Sequence, residues 1–229
     1  MIFSNIFYEL VNFFLLLTLL LNLVLAVGIY LKGRSLVANK LFALLLIFIS
    51  LWITGMLFFR ISVDARYLSF WLNSYYFFAA LVAFTFYFFC RRFPYQSRKV
   101  HIYEQFAHFS LLVIFLAVGH RGVVTEIIYR VDGNHMVTFN LFVYTLYICF
   151  FICYVATGFG NLLTKFHQSS GHLKQLIGIV LVATLIAALA GVVFDLLVPL
   201  YTYSYIWIGP YFTSAMVMII ARFVFFKKG

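Results

Sequence analysis

Residues 176–200 read LIGIVLVATLIAALAGVVFDLLVPL, an apolar run broken by a single charge. A helix needs about 20 apolar residues to cross a hydrocarbon core, so the run predicts a transmembrane span. Asp195 lies near its far end, followed by Val198, Pro199 and the aromatic string from Tyr201 to Trp207. An ionisable group inside such a run is costly and marks a functional position unless it reaches the interface. No other acid lies as far inside an apolar run. The rest of the chain reads as a bundle that places this helix, its acid and the neighbouring aromatic cluster on one side of a membrane.

Composition supports that class. The chain of 229 residues is 66% hydrophobic, 21% aromatic and only 10% charged, with a mean hydropathy of +1.07. Soluble domains are about 45–50% apolar, so an all-α integral membrane protein of one domain, 1–229, is expected. Seven helices of about 20–25 residues consume most of the length, which excludes a soluble catalytic domain. The net charge of +10 would suggest nucleic acid in a soluble protein. Here the collection of Lys and Arg in cytoplasmic loops accounts for it, and no nucleic-acid partner is expected.

Spans are predicted at about 6–30, 41–59, 68–90, 101–118, 141–163, 176–200 and 206–226. The first is too long for a signal-peptide core, follows no basic residue and precedes no small-residue cleavage site. The fourth has an apolar core of only 106–118, preceded by His101, Glu104 and His108, and spans only if that polar flank reaches the interface. Pro94 stops the third span, and Pro210 falls in the first turn of the seventh, where proline is tolerated. Between spans four and five, 123–131 alternates, Asp132-Gly133-Asn134 comes next, and a second β-prone run ends at Phe139. Asp-Gly between such runs predicts a β-hairpin over 123–139, lying over the outer mouth of the bundle.

Seven spans put the termini on opposite sides. One side collects Lys32, Arg34, Lys40, Arg91, Arg92, Arg98, Lys99, Lys165, Lys174, Arg222, Lys227 and Lys228, twelve of sixteen basic residues. The other holds Arg60, Arg66, Arg121 and Arg130 with five of the six acids. The basic side is expected to be cytoplasmic, with the N-terminus and hairpin outside and the C-terminus inside. Helix 7 has no Gly or Pro between Phe212 and Lys228. It is expected to run on as a straight helix into a longer parent protein.

Most membrane chemistries lack their residues. The last span has no lysine for a retinal Schiff base before Lys227. His101, Glu104 and His108 share a helix face, but no second cluster completes a metal site, and they read as interfacial polar residues. Asp195 has no partner acid for an aspartyl protease. Pro199 and Pro210 have no mirror in spans one to three, as a transporter with inverted repeats would show. Cys90, Cys149 and Cys153 make no disulfide framework and read as small core hydrophobes. No catalytic motif, metal site or cofactor is expected.

The outer half carries a polar and aromatic set drawn from many helices. It comprises Asn12, Trp52, Trp71, Asn73, Tyr76, Asn140, Tyr144, Tyr147, Asp195, Trp207 and Tyr211. Trp and Tyr also favour the headgroup level, so Trp71 and Trp207 at helix ends fit an interfacial belt as well as a pocket. Asn12, Tyr144, Tyr147 and Asp195 should turn inward, either as interhelical glue or as pocket lining. The expected pocket joins Asp195 to Tyr144, Tyr147, Trp52 and Asn12, with no cation nearby because Arg60 and Arg66 fall in a loop. A carboxyl placed there needs a cation, several donors or its own proton.

The run from Asn39-Lys40-Leu41-Phe42 through Leu51-Trp52-Ile53-Thr54-Gly55, then Phe70-Trp71, Tyr76, Phe84 and Phe93-Pro94, resembles part of a known family. His172-Leu173-Lys174-Gln175-Leu176, Gly191, Pro199, Gly209-Pro210 and Ala221-Arg222-Phe223 continue the likeness. The family is the seven-transmembrane N-terminal sensor region of bacterial histidine kinases and some diguanylate cyclases. The resemblance implies a signal-input module in the bacterial cytoplasmic membrane, forming a homodimer in its parent protein and passing a signal to a cytoplasmic output domain. No phosphoacceptor or ATP-binding region is present here, so no enzyme activity is expected of this chain. The expected ligand is a small amphipathic or apolar molecule, with membrane lipid as surroundings. A small-molecule transporter and a membrane anchor without a ligand are the rivals. A transporter would need a second polar layer in the inner halves, where mainly Asn22 and Asn161 occur.

Overall fold

The computed structural model describes residues 2–94, 110, 113, 123–129, 135–202 and 205–226, with the backbone alone for 2–5 and 65. Six long helices dominate it. They are α1 (Ile2–Lys32), α2 (Val37–Ile61), α3 (Ala65–Arg92), α4 (Leu141–Gln168), α5 (Gly171–Gly191) and α6 (Ile208–Ile220). A π-helical turn, Val192–Leu197, and a 3-10 turn, Val198–Leu200, prolong α5, and a second π-helical stretch, Ala221–Phe226, prolongs α6. Among the described residues six helical runs of 19–30 residues are long and apolar enough to cross a membrane. The chain is a multi-pass membrane protein.

Each helix packs on the next, and α6 closes back on α1, so the six form a ring with α2 also touching α6. The outward surface is apolar, as lipid requires: Phe13, Leu17, Val24 and Val27 on α1 and Val182, Ile186 and Leu189 on α5 are all exposed. Gly55 sets how closely α2 meets α3. A Cβ there would fall 2.9 Å from the backbone nitrogen of Tyr75, so only glycine lets the two backbones approach at this point.

Helix ends follow local chemistry. The Asp64 side chain accepts from Arg66 N at 2.8 Å to cap α3, and Asn140 accepts from Val143 N at 3.4 Å to cap α4. At the far end of α3, the Lys165 ammonium donates to the carbonyls of Cys90, Arg91 and Phe93 at 2.9, 2.6 and 2.6 Å. A cation on the last carbonyls of a helix answers both their free lone pairs and the helix dipole.

The hairpin pairs β1 (Val124–Ile128) with β2 (Met136–Phe139) in antiparallel register, Ile127 opposite Val137. The sequence alternation predicts odd-numbered residues of β1 on one face. A bulge between Val124 and Glu126 shifts that phase, so Val124 and Ile127 turn inward with Val137 and Phe139. Phe139 stacks on Tyr144 at 4.2 Å, and His135 meets Phe59 edge-on at 5.0 Å, which seats the hairpin on the ends of α2 and α4.

Several boundaries differ from expectation. α2 continues to Ile61, because Arg60 stays in the helix instead of opening the loop. The loop expected between the spans 141–163 and 176–200 shrinks to two residues between α4 and α5. Cys149 and Cys153 lie on the exposed face of α4, not in the core, while Cys90 is buried. The expected fourth span, 101–118, with His101, Glu104 and His108, lies outside the described residues apart from Ser110 and Val113, as does the turn 132–134. The last helix, expected to run straight from Phe212 to Lys228, turns π-helical over Ala221–Phe226.

Candidate functional site

Pro199 shapes the backbone that carries the acid. Proline has no N–H to donate, and its ring crowds the carbonyl four residues earlier, which here belongs to Asp195. The ladder widens around it: Val198 N donates to Val193 O, five residues back. Such π turns inside helices recur at functional positions because they re-aim one side chain. Asp195 stands in this turn, 7% exposed.

Its carboxylate bridges three helices. Oδ1 accepts from the Tyr75 hydroxyl of α3 at 3.3 Å. Oδ2 packs against Gly209 at the start of α6, in the space a side chain there would need, and has no hydrogen-bond partner among the described residues. Tyr144 of α4 donates to Leu196 O at 2.7 Å, gripping the same turn from the other side. Tyr147, one turn on, donates to Tyr76 O at 3.0 Å. Tyr76 sits amid Tyr75, Tyr144 and Tyr147, with ring centroids 5.0–6.1 Å away in edge-to-face arrangements.

Beside Asp195 lies a cavity of about 90 Å³. Five helices line it at helical spacing: Ile49 and Trp52 of α2, Tyr75, Ala79 and Ala83 of α3, Tyr147 and Phe151 of α4, Thr184 and Ala187 of α5, Thr213 and Met216 of α6. The alanines and Gly191 explain the space, since they withhold the side chains that would fill it. Among the described residues the lining is almost wholly apolar and includes no lysine, arginine or histidine. The Trp52 Nε1 in this wall is buried without a hydrogen-bond partner among the described residues.

Of the expected pocket residues, the structure brings together Asp195, Trp52, Tyr76 and Tyr147 on the cavity, with Tyr144 immediately behind it. Asn12 is not among them. Its Oδ1 accepts from Arg60 Nε at 3.1 Å in a separate pocket at the hairpin end, lined also by Tyr8, Glu9, Tyr129 and His135. Arg60 itself is 4% exposed, and its carbonyl accepts from the Tyr8 hydroxyl at 2.7 Å. A buried helical cation is therefore present where a loop residue is expected. Trp71 stacks on Phe58 at 4.5 Å, Trp207 meets Phe7 at 5.8 Å, and the Tyr211 hydroxyl donates to Val11 O at 3.3 Å. These three and half-buried Asn73 lie off the cavity wall.

Tyr75, Thr184, Thr213 and Gly209 belong to the site but are absent from the sequence expectation. Tyr75 carried a signal, since it stands one turn before Ala79 on an otherwise apolar face. In the basic half, Asn22 is fully buried and donates to Ser214 Oγ at 3.2 Å, tying α1 to α6, whereas Asn161 donates to Thr157 O of its own helix. Neither lines the cavity. Among the described residues no group of His, Cys, Asp and Glu is placed to hold a metal ion.

Comparison with known protein families, curated proteins and solved structures gives no match for this chain. The likeness to the bacterial sensor region rests on the residues that carry it, from Asn39 to Pro94 and from His172 to Phe223, alone.

Proposed function

We propose that this chain is the signal-input module of a bacterial membrane sensor, holding a small amphipathic or apolar ligand in the cavity beside Asp195. The observation that carries this reading is the place of the acid. One carboxylate joins α3, the distorted end of α5 and the first turn of α6, and it borders an apolar cavity. A ligand that prefers one arrangement of these helices shifts their equilibrium by its differential affinity. The last helix then carries the shift out of the membrane to an output domain in the parent protein, where two copies pair.

A seven-span arrangement suits the described ends. The chain leaves α3 at the end that Lys165 caps, and resumes at Val123, whose carbonyl accepts from Asn140 at the opposite end of α4. With the basic end facing the cytoplasm of the bacterial inner membrane, the cavity lies in the outer half. The transporter reading gains little, because the buried polar pair in the basic half, Asn22 and Ser214, serves to join two helices.

Spin labels at Val182 of α5 and Ile219 of α6, both exposed, test the reading in a cysteine-free background. Organic extracts of the source cells and their medium, added to the protein in nanodiscs, should change the interhelical distance, and Asp195→Leu should abolish the change. Uptake of the active component into proteoliposomes would instead assign transport.

A further inference from the structure

We infer that the pocket between α1, the end of α2 and the hairpin is a lipid site, taking a phospholipid with a phosphoethanolamine head whose phosphate meets Arg60 and whose ammonium meets Glu9. The site is separate from the cavity beside Asp195 and does not depend on the receptor reading.

The pocket has a volume of about 610 Å³, within the range of small-molecule sites. Its depth in the bilayer follows from helix length. About 20 residues of helix cross the hydrocarbon, and counted back from Lys32 of α1 they end at Asn12. The same count of about 20, taken forward from Lys40 of α2, ends at Arg60. The two counts agree, since Arg60 Nε donates to Asn12 Oδ1 at 3.1 Å. Arg60 and Asn12 therefore mark the edge of the hydrocarbon. Glu9 stands nearly one turn beyond Asn12, in the headgroup layer, while Phe13 and Leu16 line the same pocket from the hydrocarbon side. Both apolar residues are exposed on the outer surface of α1, so an acyl chain reaches this wall sideways from the bilayer.

The chemistry of the wall changes along the same axis. Arg60 is buried and is positioned from α1 twice, by Asn12 at Nε and by the Tyr8 ring 5.1 Å from the guanidinium carbon. A guanidinium keeps its charge when buried, and its planar fork matches phosphate oxygens. Glu9 is exposed. It stands three residues before Asn12, the spacing of neighbours on a helix surface, so its carboxylate and the Arg60 fork flank one opening. Among the described residues these are the acid and the permanent cation of the wall, with His135 stacked on Tyr129 under the hairpin.

One buried cation beside one exposed acid calls for a head that carries both charges. Phosphoethanolamine does, because its phosphodiester accepts from Arg60 and its ammonium donates to Glu9. Phosphocholine has the same charges but no N–H for the carboxylate. Phosphoglycerol offers hydroxyls to Glu9 but leaves the filled site with a net negative charge. Diacylglycerol brings no anion to Arg60.

The test uses the full chain in a non-ionic detergent, where native mass spectrometry counts bound lipid against concentration. The probes are phosphatidylethanolamine, phosphatidylglycerol, phosphatidylcholine and diacylglycerol, all with octanoyl chains, and phosphoethanolamine without chains. Phosphatidylethanolamine should bind at least about tenfold more tightly than diacylglycerol, the size expected for charge-assisted hydrogen bonds to its phosphate. It should bind about threefold more tightly than the other two phospholipids, as an exposed ion pair contributes less. Arg60→Gln should erase the advantage over diacylglycerol, and Glu9→Gln the advantage over phosphatidylcholine. Should Arg60→Gln fail to fold, Glu9→Gln carries the test, because Glu9 is exposed. Diacylglycerol binding as tightly as phosphatidylethanolamine overturns the inference, and so does phosphatidylglycerol or phosphatidylcholine binding at least as tightly. Free phosphoethanolamine binding as tightly as the lipid would make the occupant a soluble molecule and overturn the lipid site. Ratios unchanged in either folded variant would place the binding elsewhere on the protein and overturn it too.

Discussion

The Asp195 carboxylate occupies the space that a side chain at Gly209 would require, so the end of α5 and the start of α6 meet through one acid and one glycine. Tyr75 holds the other carboxylate oxygen from α3, and Gly55 allows α3 close enough to α2 to bring Tyr75 there. Two glycines thus place the acid. Each removes a Cβ where helix backbone must come close, and together they make the acid the shared contact of three helices.

Gly209→Ala should therefore displace the carboxylate. Overpacking of this kind costs about 1–3 kcal/mol, and thermal unfolding in detergent should show it. Asp195→Ala in the same chain frees the space, so the double variant should be less destabilised than the sum of the two singles. Additive losses would mean that the two residues do not share a contact.

Lys165 concerns stability alone. Its ammonium supplies three carbonyls at the end of α3, and Lys165→Met leaves all three without that donor. A loss of about 1–3 kcal/mol is expected, with the response to ligand unchanged because Lys165 does not line the cavity. Unaltered thermal unfolding of the methionine variant would show that water replaces the ammonium.

Much of the fold is legible in sequence because run length alone identifies a membrane helix, and the hairpin announces itself through alternation and Asp-Gly. Depth in the bundle is legible too. Asp195, Tyr147, Tyr76 and Trp52 stand out as polar or aromatic groups within apolar runs, and they do converge. Rotation about each helix axis is not legible. In a soluble helix a polar face marks the outside, but here both lipid and core are apolar, and no such stripe orients the helix. Asn12 therefore reads as a neighbour of Asp195, whereas its side chain turns to Arg60. The same blindness puts Cys149 and Cys153 in the core and leaves Tyr75 unnoticed beside Tyr76. Arg60 escapes for another reason: a charge is taken to end the span at 59, although the helix runs two residues further and buries Arg60 against Asn12 and Tyr8.

Topology is open to a direct measurement. With the basic end inside, a single cysteine introduced at Gly133 in a cysteine-free background should react with an impermeant thiol reagent on intact cells. One introduced at Ser97 should react only after permeabilisation. The reverse pattern would put the cavity in the inner half and require a ligand from the cytoplasm.

Pro199→Ala separates the stability of the bundle from the placing of its acid. The proline denies Asp195 O its usual donor, and the helix answers with a π turn in which Val198 reaches back to Val193. Alanine at 199 restores an N–H four residues after Asp195. The ladder can then return to α-helical spacing, which rotates the two sides of the turn against each other by about 100°. That rotation draws Asp195 away from Tyr75 and Gly209. Proline within a helix costs about 3 kcal/mol, so the alanine variant should melt at the same temperature as the parent or higher. Its change in α5–α6 spin-label distance on adding the active extract should shrink, as Asp195 leaves Tyr75 and Gly209. The pair of measurements is informative because the two effects run in opposite directions, as expected where a distorted helix is kept for function. A variant that melts lower and keeps its response to ligand would show that the π turn is set by packing around α5 and that Pro199 does not position the acid.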